Sequence, residues 1–183
     1  MIHVFTVLRE AGYEEAMLGL SLNKLQPPEN MPNAATKLTK AQAGSHRKFL
    51  RQISVWLRVV APMCWWAEFD CYKVGTCRQS SSTMHCPIEH SGLHDDVPLE
   101  TLEYFETIHR MFVDGSIGIQ TYKNAMPAGV MLDSIVSMNY EVLRTILSDR
   151  YNHRLDIWKD FCRQIHSQLQ HKELIVAPWE TSV

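Results

Sequence analysis

Hydrophobic and polar positions alternate most cleanly from Ile53 to Val59. Ile53, Val55, Leu57 and Val59 fall on one side, and Ser54, Trp56 and Arg58 on the other. A period of two is the mark of a strand with one face on a core. Residues 2–8 (IHVFTVL) are rich in β-formers and predict an opening strand, and residues 131–138 predict a later one. Elsewhere the period lengthens. Leu102, Phe105, Ile108, His109 and Phe112 recur at three- and four-residue steps, which predicts an amphipathic helix over 99–113, closed by Asp114-Gly115. The longest helical pattern runs from Asn139 to Leu169, with Val142, Ile146, Trp158, Phe161, Cys162, Ile165 and Leu169 on one face and a break near 151–153. Shorter helices are predicted at 14–20, 37–43, 63–72 and 117–125. Residues 26–35 (QPPENMPNAA) hold three prolines and two asparagines and predict a loop, as do the polar residues 86–98. With no internal repeats, the pattern predicts one α+β domain over residues 1–183, a mainly antiparallel sheet packed by long helices.

Composition narrows this picture without redirecting it. The 183 residues are 45% hydrophobic and 21% charged, with a formal net charge of −2. That balance suits a folded core. It does not point to a nucleic-acid polymer or an anionic membrane as partner. No apolar run reaches the length of a membrane span and residues 1–20 lack a signal-peptide pattern, so a cytoplasmic location is expected. The five cysteines, Cys64, Cys71, Cys77, Cys86 and Cys162, are odd in number and irregular in spacing, which reads as reduced thiols. Three of them lie near His85, His90 and His94, which invites a zinc reading. The spacing lacks the short paired pattern of structural zinc sites, and no metal is expected.

The chemistry concentrates between Ser45 and His85. A basic turn with a histidine leads into the alternating strand, then Ala61-Pro62, then a segment carrying Trp65 and Trp66, and finally the hydroxyl run Ser80-Ser81-Ser82-Thr83. Hydroxyl and backbone donors packed so closely suit a bound phosphate, and equally suit a plain polar loop.

This layout resembles the central signature of the flavin-dependent thymidylate synthases. That signature has a Gly-His turn, an alternating strand, often Ala-Pro, a helix ending in Gln-x-x-Arg-His-Arg, and a Ser/Glu-rich loop. Aligned on Ala61-Pro62, Ser45-His46 falls on the Gly-His turn and Glu68 on the glutamine. Cys71-Tyr72-Lys73 falls on Arg-His-Arg, and Gln79-Ser80-Ser81 on the loop's Glu-Leu-Ser. A second block matches in order and spacing: Lys123 on an arginine, Pro127 four residues on, Asn139 opening the last helix, and Arg150 three turns into it. The chain thus resembles a divergent, phage-type branch of that family. Only Lys73 keeps a charge of the triplet, Thr83 replaces an arginine, and Leu155-Asp156-Ile157-Trp158 stands where Ala-Gln-x-Glu is usual.

The resemblance implies a thymidylate synthase-complementing protein-like fold and an FAD-dependent methyltransferase. Such an enzyme moves a one-carbon unit from methylenetetrahydrofolate to C5 of dUMP, with NADPH reducing the flavin. Ser80, Ser81, Ser82, Lys123, Arg150 and Glu68 are then expected at the pyrimidine deoxynucleotide, with Ser81 as the catalytic position. His46, Tyr72, Lys73 and Asn139 are expected at the flavin. A serine nucleophile needs an adjacent base, for which only His85 stands nearby in sequence. Asn139 is also a good helix N-cap, and the two roles are compatible. Trp65 and Trp66 stack on a ligand ring or fill the core. The resemblance also implies a homotetramer with sites built from several subunits, which suits a chain too short to enclose a flavin alone. The lost charges equally suit a repurposed nucleotide-binding or structural descendant of the fold, or an enzyme making a different 5-substituted base.

Overall fold

A computed structural model of the chain describes residues 2–41, 44–84 and 92–180. It contains strands β1 (Val4–Ala11), β2 (Ser54–Pro62), β3 (Thr76–Ser80) and β4 (Met131–Asn139). Its helices are α1 (Tyr13–Lys24), α2 (Met31–Thr39), α3 (Met63–Phe69), α4 (Leu99–Val113), α5 (Ile119–Ala125), α6 (Tyr140–Arg150) and α7 (Asp156–Gln168). The strands form one antiparallel sheet in the order β1-β2-β4-β3. The expected α+β class is therefore what the chain adopts. The β2 alternation holds residue by residue: Val55, Leu57 and Val59 are fully buried, and Arg58 is exposed.

The chain divides into two compact units. The first comprises Met1–Val4, Val59–Cys71 and Gln79–Ser134. Here α3 starts at a proline and has no side-chain cap. Its open N–H groups are met instead by the chain around Val130: Met63 N donates to Val130 O at 2.9 Å and Cys64 N to Ala128 O at 3.0 Å. Trp65, Trp66 and Phe69 are buried together, with ring centroids 5.0–5.4 Å apart. They fill the core, which settles the choice left open for the two tryptophans. Phe105 of α4, Tyr122 of α5, Leu93 and Val130 form a second cluster, and Phe112 stacks on Tyr122 at 4.4 Å.

The second unit comprises Phe5–Arg58, Tyr72–Arg78 and Ile135–Val183. The expected break in the last helix is real and separates α6 from α7. Leu143, Ile146 and Leu147 of α6 and Trp158, Phe161, Cys162 and Ile165 of α7 are buried. At about 1.5–3 kcal/mol for each large apolar side chain, this seam is a principal support of the unit. A turn of 3₁₀ helix, Gly44–Arg51, buries Arg47 against Glu141 of α6 at 3.1 Å.

Several expectations need correction. Residues 26–35 are not one loop: a 3₁₀ turn covers Pro28–Asn30 and α2 begins at Met31. Pro32 sits in the first turn, where a missing N–H costs nothing. The helix expected at 37–43 is the end of α2, which stops at Thr39. On α4, Leu102 is 37% exposed and only Phe105 is buried. Strand β3 went unpredicted because its three central residues, Cys77, Arg78 and Gln79, are all exposed, so no apolar alternation marks it.

Candidate functional site

In the first unit the hydroxyl run is tied to β4. Ser81 N donates to Asp133 O at 2.8 Å, and Asp133 N donates to Ser81 Oγ at 3.3 Å. Ser134 Oγ donates to Ser80 Oγ at 2.8 Å. The backbone then turns, and Met84 N donates to Ser82 Oγ at 3.2 Å. Lys123, at the end of α5, reaches this turn and bonds Thr83 Oγ1. Lys123 and the serine–threonine run, 40 residues apart in sequence, are thus neighbours in space. All five of these side chains are partly exposed. An ammonium beside converging hydroxyls, reachable from solvent, is chemistry suited to a phosphate group.

Glu68, near the end of α3, is half-buried in the same unit. Among the described residues no carboxylate or imidazole bonds the Ser81 hydroxyl, so no general base is assembled on it. His85, the base suggested by sequence, lies outside the described residues, as do Cys86 and His90 of the zinc reading. Among the described residues no group of three or more His, Cys, Asp or Glu is arranged to hold a metal ion. Cys64, Cys71, Cys77 and Cys162 are unbridged.

In the second unit Arg150 closes α6 and is held by aromatic rings. Its guanidinium lies 4.8 Å from the Trp158 ring centroid and 5.5 Å from that of Tyr72, and Nε donates to Tyr72 Oη at 2.9 Å. Tyr72 Oη in turn donates to Asp149 Oδ2 at 3.3 Å. Burial pushes the Tyr72 phenol above its usual range, against the opposing pull of the Arg150 cation. Tyr72 therefore keeps its proton and acts as a neutral bridge between an arginine and a carboxylate.

The same unit holds a cavity of about 330 Å³, lined by Arg51, Ser54, Trp56, Gly75, Ser137 and Asn139 among others. Gly75 has φ +86°, and a Cβ there would stand 2.8 Å from Val142 Cγ2, so the bend before β3 requires glycine. Asn139 caps α6: its Oδ1 accepts from Val142 N at 3.0 Å. That leaves the amide NH₂ as the end suited to donate to a ligand. His46 and Lys73 are exposed and do not line this cavity. Arg51 does, and sequence reasoning missed it. The signal was the basic run His46-Arg47-Lys48 continuing to Arg51, in which only Arg47 turns inward.

The complete chain matches the crystal structure of thymidylate synthase X (ThyX) from Helicobacter pylori with FAD and dUMP. The TM-score is 0.78 over 100% of both chains, at 9% sequence identity. A second structure of the flavin-dependent thymidylate synthase from Helicobacter pylori, complexed with FAD and dUMP, matches at TM-score 0.78. It covers 96% of this chain and 98% of that one, at 12% identity. No protein-family model matches the sequence, and no curated protein matches it. The chain therefore shares the fold of these enzymes.

Proposed function

We propose that this protein is a flavin-dependent, thymidylate synthase-like enzyme that transfers a one-carbon unit to C5 of dUMP. The observation that carries the reading is the meeting of Lys123 with the Ser80–Thr83 run, on a fold shared along nearly the whole length of two dUMP-bound structures of Helicobacter pylori ThyX. In this reading Lys123 and the hydroxyls of Ser80, Ser81 and Ser82 hold the nucleotide phosphate. Ser81, the residue most firmly tied to β4, fixes the position nearest the pyrimidine. Glu68 and Arg150 keep nucleotide-binding roles, and His46, Tyr72, Lys73 and Asn139 keep flavin-binding ones.

The cavity at Asn139 offers a cation, Arg51, and an amide donor, which fit a diphosphate or a flavin ring edge. Its size lies at the lower end of ligand cavities, about 300–1,000 Å³, so it takes part of a dinucleotide. FAD, when bound, would supply the redox chemistry, with NADPH and methylenetetrahydrofolate as co-substrates. The chain's own residues bind, orient and donate hydrogen bonds. A homotetramer in the cytoplasm belongs to the same reading.

A second reading is favoured by the engagement of Arg150 with Tyr72 and Trp158, an arginine already held by its own chain. In it the fold binds nucleotide without thymidylate synthase activity, or makes a different 5-substituted pyrimidine. Purification decides between them. A yellow protein with a bound-flavin spectrum, stabilised against heat by dUMP, is expected. Lys123→Ala lowers dUMP affinity by roughly tenfold or more, as loss of a charged hydrogen bond does. A colourless protein whose melting is unmoved by FAD and dUMP overturns the enzyme reading.

A further inference from the structure

A further cavity of the second unit is lined by none of the residues named above as candidates. It measures about 690 Å³ and is lined by Thr36, Thr39 and Lys40 of the α2 end, Arg144 of α6, and the stretch Lys172, Glu173, Ile175, Val176 and Pro178. Lys40, Arg144 and Lys172 bring three cations to it, and among the described residues none of the three has an ion pair. Among the described lining residues Glu173 is the one carboxylate, and it stands 3.7 Å from His171 Nδ1. The α2 C-terminus adds a partial negative charge, which Lys40 offsets at close range. Thr36 and Thr39 donate their hydroxyl protons to Pro32 O and Thr36 O, so they offer a ligand acceptor lone pairs only. The donors for an anion are thus the three cations. Beside them the half-buried Val176 and Pro178 form an apolar wall, backed by the buried Ile175.

Cations that could have been balanced by neighbouring carboxylates, and are not, repel one another at rest. A bound anion relieves that repulsion, and a phosphate monoester carries roughly −1.5 to −2 charges at neutral pH. We infer that this cavity binds a phosphate monoester attached to a flat apolar body, the phosphate among Lys40, Arg144 and Lys172 and the body against Val176 and Pro178. Arg144 grips two phosphate oxygens through its planar fork, and the lysines act as point charges. The inference is independent of the dUMP reading, since none of its residues belongs to that proposal.

The test uses the full chain carrying Lys123→Gln, which takes the ammonium from the phosphate site proposed at the Ser80–Thr83 run. Titration with phenyl phosphate, inorganic phosphate and phenol, read by calorimetry and by amide shifts, distinguishes the contributions. Phenyl phosphate is expected to bind at least tenfold more tightly than either fragment, shifting the amides of residues 36–40, 144 and 175–177. Lys172→Gln and Lys40→Gln, both exposed positions that leave the fold intact, each weaken it roughly tenfold, and Arg144→Gln does so by more. Equal binding of phenol and phenyl phosphate, or affinity untouched by Lys172→Gln and Lys40→Gln, overturns the assignment.

Discussion

Arg47 and Glu141 show how a buried charge pair acts at the scale of single residues. Arg47 is 9% exposed, bonds Glu141 at 3.1 Å and also donates to the Ala41 carbonyl. Removing the carboxylate takes an ion-pair partner from a buried guanidinium, so Glu141→Ala is expected to cost about 3 kcal/mol in urea denaturation. Cys162 acts through its proton. Burial pushes its thiol from the ordinary 9.0 up to about 12. The folded chain keeps this proton after the unfolded chain has lost it, so the fold weakens as pH rises. Stability is full below pH 9 and falls above it by about 1.4 kcal/mol per unit, while Tyr140, raised by burial and by Glu10, adds to the fall only above its usual 10.0. Cys162→Ala is therefore expected to flatten the curve between pH 9 and 10. At this scale the resemblance put Lys123 and the hydroxyl run at one ligand, and in the fold Lys123 bonds Thr83 Oγ1. It gave no sign that Arg150 would be sandwiched by Tyr72 and Trp158, because that contact depends on how α6 and α7 turn between Tyr151 and Leu155.

Elements form where local chemistry agrees with burial, and two of them hang on single positions. Gly12 precedes α1 with φ +94°, and a Cβ there would collide with the Gln52 carbonyl. Gly12→Ala is expected to cost more than about 2 kcal/mol and to lower the melting temperature. Asn139 separates capping from binding. Asn139→Ser keeps an N-cap, whereas Asn139→Ala loses about 1 kcal/mol of stability. Both remove the amide, so equal loss of flavin affinity in the two variants, with unequal stability, supports the proposed contact. The strongly periodic elements β2, α4, α6 and α7 were legible from their patterns. Strand β3 was not, since an exposed edge strand of Cys77, Arg78 and Gln79 carries no periodicity, and only its place beside β4 makes it a strand.

At the scale of the molecule the legible signal was order and spacing. Two blocks of motif positions aligned without gaps, and the fold agrees at TM-score 0.78 with only 9–12% identity. Spacing encodes element lengths, and so it can agree where side chains do not. Among the described residues no helix is long and apolar enough to cross a membrane. The proposed assembly is checked by light scattering, where a four-chain mass is expected and a monomer at micromolar concentration contradicts it. The lodging of Arg150 above Trp158 gives the protein an optical gauge of its own. An anion that draws the guanidinium off the indole alters the field on that fluorophore, so nucleotide binding at Arg150 is expected to shift tryptophan emission without any label. Trp158→Phe silences this response while the other tryptophans still glow.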